Sequence, residues 1–301
     1  MNAADTIREN FLTWHSMLAS TRELALCQAR ALAPLLAAEH HATEGGIGAL
    51  RHTVLDILGA TDQNNFPLAL QGAAERLAFC EAFLAAHPAL INELMLSPAD
   101  EDAPVGDRAS SLCIAIMRAA VSTHAKAMLP PILANAESHY CNSFQELCEM
   151  LAHGQVNYAL LPVESTAEGI LRRSYDLIER FELHIAYTLE IPTPDGGFTR
   201  IGLLYHNAPP ALPTTGCEQI LECRTTATDN AALAELLTVA SDCAMTLRRI
   251  DTHATEDGEL YQHIIFRVGG SDLLFATYLA LFIPRTVITA KYLHLTRKDV
   301  P

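Results

Sequence analysis

Two short polar segments hold the side chains in this sequence that are best suited to chemistry. The first is Glu164, Ser165 and Thr166, directly after an apolar stretch, and the second is the pair Thr199 and Arg200. A carboxylate, hydroxyls and a guanidinium could bind a carboxylate group or serve as catalytic groups, and one positioned acid or donor contributes ~10²–10⁴ in rate. The alternative is structural. Glu164 and Thr166 would then cap the helix that follows them, and Thr199-Arg200 would lie on a surface strand.

Metal and thiol chemistry are less well supported. The eight cysteines include no Cys-x-x-Cys pair, and most lie in apolar stretches, so we interpret them as buried thiols. A helical pair of metal ligands needs a spacing of i, i+4, whereas the closest histidines, His40 and His41, are adjacent. We therefore expect neither a metal nor a cofactor.

The overall charge excludes several partners. Lys and Arg total 20 against 35 Asp and Glu, a net charge of −15, which repels nucleic acid and anionic membrane surfaces. No apolar run approaches the ~20 residues of a membrane span. The N-terminus lacks a basic patch followed by an apolar core, so we predict a soluble, cytoplasmic protein.

The pattern of elements predicts three units. Residues 4–96 are rich in Ala and Leu with helical periodicity, including helices near 48–60 and 66–95, and the acidic, Pro-containing stretch 97–107 is typical of a linker. Strands and helices then alternate, which favours an α/β unit with a largely parallel sheet. Its predicted elements are strand 112–117, helix 123–134, a helix from Ser143 to 153, strand 158–161, helix 166–180 and strand 184–191.

A second linker, 207–216, contains three prolines and predicts few contacts across it. The last segment has the order βαββαβ of a ferredoxin-like sandwich, with a hairpin turn at Asp257-Gly258. Its predicted elements are strand 219–227, helix 230–243, strands 245–254 and 259–268, helix 271–283 and strand 286–295.

The stretch 143–178 resembles prephenate dehydratase. That family has a helix, a Gly, a strand and a Pro-Ile-Glu-Asn-Ser-x-x-Gly segment, followed by Tyr-Asp-Leu-Leu. Pro162, Glu164 and Gly169 fall on the family's Pro, Glu and Gly without a gap, and the stretch starting at Tyr175 is similar to the second motif. Farther on, residues 197–201 look like the family's Asn-x-Thr-Arg-Phe segment, whose Thr is catalytic and corresponds to Thr199.

The order of units resembles the bifunctional P-protein of phenylalanine biosynthesis, in which chorismate mutase and prephenate dehydratase precede an amino-acid-sensing ACT domain. We therefore expect an α+β multidomain chain. It would comprise an all-α chorismate mutase-like domain at 1–97, a single prephenate dehydratase-like α/β lobe at 107–206 and a ferredoxin-like ACT domain at 217–297.

Departures from these families argue against catalysis. Leu32 and Cys80 fall where the mutase lysine and glutamine are expected, and Arg22, Arg30, Arg51 and Arg76 are interpreted as surface residues. In the lobe, Ser165 replaces an active-site Asn and cannot offer its amide donor and carbonyl together. Only Thr193 to Phe198 stand where the family inserts a second lobe with a Ser-His-Pro-Gln-Ala-Leu motif, so the cleft between lobes is missing.

The ACT resemblance implies an effector site. Family members bind phenylalanine at a loop matched here by Asn230, Ala231 and Leu233, and at a turn matched by Asp251 and Thr252. A purely dimerising sandwich is the alternative.

The expected protein is a catalytically degenerate metabolite sensor or regulator, a homodimer or higher homo-oligomer, with an amino acid or aromatic-pathway metabolite as ligand and a protein partner as a further option. Two other hypotheses remain open. One is an active prephenate dehydratase or decarboxylase that completes its cleft across a dimer, and the other is an oligomerisation scaffold.

Overall fold

The computed structural model describes residues 22–31, 33, 72–86, 112–207, 209–210, 216–226, 230–254, 258–283 and 285–295. The predicted helix 48–60, the acidic linker 97–107 and most of the mutase-like domain 1–97 lie outside the described residues. So do Arg51 and Leu32 of the mutase comparison.

Seven helices are assigned with full bounds among the described residues, in addition to a helical stretch at 22–31. They are α1 (Ala73–Ala86), α2 (Ala120–Ala127), α3 (Pro131–Ala134), α4 (Phe144–Ala152), α5 (Arg172–Arg180), α6 (Asn230–Asp242) and α7 (Asp272–Phe282). The strands are β1 (Cys113–Met117), β2 (Glu137–Cys141), β3 (Tyr158–Ser165), β4 (Gly169–Ile170), β5 (His184–Pro192), β6 (Phe198–Tyr205), β7 (Cys217–Thr225), β8 (Met245–Ala254), β9 (Leu260–Val268) and β10 (Thr286–Leu295).

The strands form one large mixed sheet in the order β2-β1-β3-β6-β5-β10-β7-β9-β8, with β4 paired to β3. The β2-β1-β3 part is parallel, because α2, α3 and α4 return the chain between consecutive strands. Apolar residues cover both faces of β1 and β3, as the near-continuous apolar sequence of these strands predicts. The mixed α/β architecture expected from the sequence is therefore present.

Local signals explain where several elements begin and end. Ser143 begins α4 as expected, and its hydroxyl accepts a hydrogen bond from the Glu146 backbone amide at 3.1 Å. The predicted helix 123–134 is wrong in detail, because the chain breaks at Pro130 into α2 and α3. The polar strand β2 was not predicted, since its exposed side chains give no alternating apolar pattern.

A tight turn joins β5 directly to β6. The Thr193 amide donates to the Gly197 carbonyl at 2.9 Å, and Pro192 stands opposite Phe198 in the antiparallel ladder. The five residues 193–197 thus form a hairpin turn between paired strands. The short connection expected from the sequence is what the structure contains.

The elements from β7 to β10 follow the order strand, helix, strand, strand, helix, strand, with the sheet order β10-β7-β9-β8. We call this part the C-terminal unit and the elements from β1 to β6 the lobe. Helices α6 and α7 cover one face of the unit, where Phe266 and Phe275 pack with ring centroids 5.4 Å apart. The hydroxyl of Ser271 accepts from the Leu274 amide at 3.1 Å and so begins α7.

The expectation of few contacts across 207–216 is wrong. Strand β10 pairs in parallel with β5, with Leu293 opposite Tyr187 and His294 opposite Thr188. The Thr188 hydroxyl and His294 Nδ1 lie 2.9 Å apart across this junction. The sheet therefore continues from the lobe into the C-terminal unit.

Helix α1 packs on the helices of the C-terminal unit. Phe79 contacts Phe282 edge to face, with ring centroids 5.9 Å apart, and Cys80 is fully buried beside them. Arg76 is a correction to the sequence analysis, because it is buried and pairs with Glu235 at 3.2 Å instead of facing solvent. Of the other arginines, Arg22 and Arg30 are exposed as expected.

We predict that Phe79→Ala lowers the free energy of unfolding by about 3–5 kcal/mol, because it leaves a cavity under α1. Denaturant unfolding measures the change. Leu260→Ala is the control, since that side chain is 54% exposed and its loss should change stability by less than about 0.5 kcal/mol. Equal effects of the two substitutions would show that α1 does not pack as described.

Candidate functional site

Strands β3 and β6 bring together the residues that the sequence analysis singled out. They run antiparallel, with Glu164 opposite Arg200 and Ser165 opposite Thr199. Thr166 follows β3, and its hydroxyl accepts from the Phe198 amide at 2.7 Å. The five predicted catalytic residues are thus neighbours at one end of the antiparallel β3–β6 ladder.

The structural alternative is wrong in two details, the helix cap and the surface position of Arg200. The predicted helix 166–180 begins only at Arg172, because residues 166–168 form a turn and Gly169-Ile170 form the short strand β4. Glu164 therefore lies on a strand and caps no helix. Arg200 is 9% exposed, so it does not lie on a surface strand.

Glu164 lies at the centre of a chain of five alternating charges, Glu190–Arg200–Glu164–Arg249–Asp251, which we call the charge chain. One oxygen of Glu164 accepts from Arg200 Nη1, and the other accepts from Arg249 Nη1 at 2.6 Å. Arg200 Nη2 also donates to Glu190 at 2.7 Å, and Arg249 Nη2 donates to Asp251 at 3.1 Å. Both oxygens of the 4% exposed Glu164 are therefore engaged by guanidinium groups.

The ion pairs favour the charged forms of Arg200, Arg249 and Glu190. Burial disfavours the charge on Arg200, but Glu164 and Glu190 more than offset it, so the pKa of Arg200 is raised. The hydrogen bond to Asp251 is the main reason that the pKa of Arg249 is raised. Burial opposes ionisation of Glu190, yet Arg200 lowers the pKa of that carboxyl. Three carboxylates against two guanidinium groups leave the charge chain with a formal excess of one negative charge.

A second polar group, the Glu222 cluster, lies between α5 and the C-terminal unit. The Glu222 carboxylate has no exposed surface and accepts from the hydroxyls of Tyr175 at 2.9 Å and Tyr292 at 2.5 Å. Nε2 of His263 lies 2.9 Å from its other oxygen. The ring of His263 also meets Tyr175 edge to face, with ring centroids 4.9 Å apart.

Electrostatics connect the two groups. Burial opposes the charge on Glu222, but hydrogen bonds from His263 and the two tyrosines more than offset it, so the pKa of Glu222 lies below its ordinary value. Burial and then the Glu222 charge raise the pKa of both tyrosine hydroxyls, which stay protonated. Arg200 and Glu164 also act on the pKa of Tyr292, so the Glu222 cluster borders the charge chain.

The predicted effector residues lie on two elements, strand β8 and the start of helix α6. Asp251 belongs to the charge chain, and Thr252 beside it on β8 is exposed. Leu233 packs against the apolar core beneath α6. Asn230 begins α6, and Ala231 after it is exposed. Of these residues, Asp251 is the one that is linked to Glu164 of the lobe, through Arg249.

Several residues of this site were missed by sequence reasoning. Glu222 had a signal, since it is the acid within the apolar run from Ile220 to Cys223 of a predicted strand. Tyr175 also had one, because it opens a motif that resembles the family. Arg249 and Glu190 had none, as a charged residue on a strand is ordinarily solvated.

Within the described ranges, no three His, Cys, Asp or Glu side chains gather as metal ligands. Nor does the part of the chain that is described contain a helix long and apolar enough to cross a membrane.

Comparisons with known proteins agree with this architecture. Residues 117–194 match the family model described as prephenate dehydratase. The structure is similar to prephenate dehydratase from Streptococcus mutans, with a TM-score of 0.52 and 17% identity over 62% of this chain and 100% of that one. This structural likeness shows the fold alone, and the family match covers a part of the lobe, which is similar to prephenate dehydratase over residues 117–194.

Two further solved structures are less similar. A quorum quenching acylase, GqqA, has a TM-score of 0.45 and 17% identity over 60% of this chain and 94% of that one. Prephenate dehydratase from Arthrobacter aurescens in complex with L-Phe has a TM-score of 0.47 and 17% identity, over 63% of this chain and 92% of that one. A search of curated proteins finds no match.

We predict that Tyr175→Phe lowers the free energy of unfolding at pH 7 by about 1.5–3 kcal/mol, because a hydrogen bond to a buried carboxylate is lost. The pKa of Glu222 is lower in the folded than in the unfolded protein. The stability that charged Glu222 contributes is therefore present above about pH 4.3, its ordinary pKa, and is lost as the pH falls through its lower pKa in the folded protein. Urea unfolding at several pH values tests it. Tyr140→Phe, at a 47% exposed tyrosine, is the control and should have little effect.

Proposed function

We propose that this chain is a P-protein-like pseudoenzyme of phenylalanine and aromatic amino acid biosynthesis. In this proposal its dehydratase-like lobe no longer dehydrates prephenate. The C-terminal unit, which we interpret as an ACT domain, binds an amino acid or a related metabolite and regulates a partner.

The observation that carries the proposal is the charge chain. Prephenate is a dicarboxylate, and an enzyme that binds it needs cationic groups preorganised toward the ligand. In this chain Arg200 and Arg249 are directed at Glu164, Glu190 and Asp251. Because three carboxylates surround two guanidinium groups, the local charge repels a dianion.

The position of the C-terminal unit supports the same conclusion. Strand β8 reaches the face of the lobe that carries Glu164, and the hydroxyl of half-buried Tyr175 in the lobe donates to Glu222 of the unit. The turn at 193–197 joins β5 to β6 where dehydratases are expected to insert their second lobe. In this proposal, strand β8 and the turn at 193–197 stand where a dehydratase has the groups that surround its substrate in the cleft.

The sensing role rests on the C-terminal unit. Its βαββαβ order and the strand order β10-β7-β9-β8 are those expected of an ACT domain. Exposed Thr252 offers a hydroxyl to a ligand, beside Asp251, whose carboxylate oxygens accept from Arg249 in the charge chain. The homodimer expected from the sequence is part of this proposal.

An active dehydratase that completes its cleft with another subunit is the second candidate. The observation in its favour is Thr199, which corresponds to the family's catalytic Thr and lies, half-buried, at the end of the β3–β6 ladder beside Ser165. In that arrangement a neighbouring subunit would have to supply the cations that the charge chain neutralises.

We predict that the purified protein does not form phenylpyruvate from prephenate at neutral pH faster than the uncatalysed reaction. The assay follows loss of prephenate and appearance of phenylpyruvate. Turnover that Thr199→Ala abolishes would contradict the pseudoenzyme proposal and support the intersubunit dehydratase. Thr193→Ala, in the adjacent turn, controls for nonspecific damage.

We also predict that L-phenylalanine or another aromatic amino acid stabilises the protein. A ligand at a hundredfold excess over its Kd adds about 2.7 kcal/mol to the free energy of unfolding, which a thermal shift detects. Thr252→Ala should weaken the shift, whereas Thr246→Ala, at another exposed threonine of β8, should retain it. The absence of a shift across aromatic amino acids and aromatic-pathway metabolites would refute the sensing role.

A further inference from the structure

The contact between Arg249 and Glu164 joins distant parts of the sheet. From β3 to β8 the strand order contains six steps, which at ~4.8 Å each would place the two strands about 29 Å apart in a flat sheet. Arg249 Nη1 nevertheless lies 2.6 Å from the Glu164 carboxylate. The sheet therefore curls until β8 lies over the end of β3, and this ion pair closes the curl.

A bulge directs Arg249 toward the lobe. The β8–β9 register shifts between Leu247 and Arg249, which places Arg248 at the irregularity. Arg248 pairs at 3.6 Å with Glu218 of its own unit, whereas Arg249 reaches Glu164. Bulges commonly redirect a side chain in this way beside functional sites.

Gly169 provides the space for the guanidinium. A Cβ on this residue would lie 2.7 Å from Arg249 Nη2, closer than such atoms approach. Its φ of +75° also favours glycine. Gly169, which matches a glycine of the dehydratase family, thus lies in contact with Arg249 of the C-terminal unit.

Strand β8 is suited to local movement. It is the edge strand of the sheet, hydrogen bonded to β9 on one side, and most of its side chains are exposed or half-buried. Segments with few buried apolar side chains open locally more often than core strands do.

We propose that β8 is a lid over the face that carries Glu164 and Arg200, and that Arg249, seated over Gly169, is its latch. Closed, the latch occupies Glu164. Open, it frees the Glu164 carboxylate and this face of the lobe for a ligand. The inference rests on the proposed function only for what the lid admits, and the lid itself can be tested without a ligand.

Hydrogen–deuterium exchange of the full chain tests the lid. Arg249→Gln should raise exchange about tenfold in peptides covering β8 and residues 163–171, because removal of a close charge pair shifts a local equilibrium by at least that factor. Exchange in β1 should not change. Arg248→Gln removes the same charge from the same strand but breaks a longer pair within the C-terminal unit, so it is the matched control and should leave exchange at residues 163–171 unaltered.

A second pair of variants keeps every charge in place. Gly169→Ala should displace the guanidinium and raise exchange in the same peptides. Gly154→Ala has a similar φ of +68° but nothing within 4 Å of its new Cβ, so it controls for backbone strain alone.

Unchanged exchange in both Arg249→Gln and Gly169→Ala would overturn the proposal, as would equal effects in the controls. If Arg249→Gln does not fold, the glycine pair decides. Failure of the amino acid to bind would refute the sensing role while leaving this result intact.

Discussion

The buried carboxylate of Glu164 imposes a constraint that much of the structure satisfies. Removing an ionised carboxylate from water costs several kcal/mol unless cations and hydrogen bonds compensate it. Arg200 on β6 supplies one cation and Arg249 on β8 supplies the other. Because the second comes from the far side of the sheet, compensation of this one charge requires the C-terminal unit to lie against the lobe.

The rest of the interface follows from that placement. With β8 over β3, helix α5 of the lobe lies against the C-terminal unit, and its Tyr175 contacts Glu222 and His263. Apolar residues from both units, including Ile220 and Ile265 of the C-terminal unit and Leu161 of the lobe, then share one core. The hydroxyl of Tyr175 and the imidazole of His263 are what make a wholly buried Glu222 tolerable.

The sequence predicted those elements whose signals are local. The apolar runs of β1 and β5, the Ser143 cap and the alternation from β7 to β10 each depend on neighbours in the chain. The start of α5 was wrong because the turn at 166–168 and strand β4 are fixed by pairing with β3. The resemblance also placed Glu164, Ser165, Thr199 and Arg200 together, which the β3–β6 ladder explains. No local pattern could connect Glu164 to Arg249, since their contact exists only in the curled sheet.

Strand β10 gives the chain an order of assembly. It follows β5 and β7 in the chain, yet it lies between them in the sheet. Until residues 286–295 emerge, the lobe has an open edge at β5 and the partial C-terminal unit has another at β7, and unpaired edges invite association with other chains. The sheet therefore becomes continuous only when this central strand inserts between β5 and β7, and a chain truncated before it would expose two sheet edges.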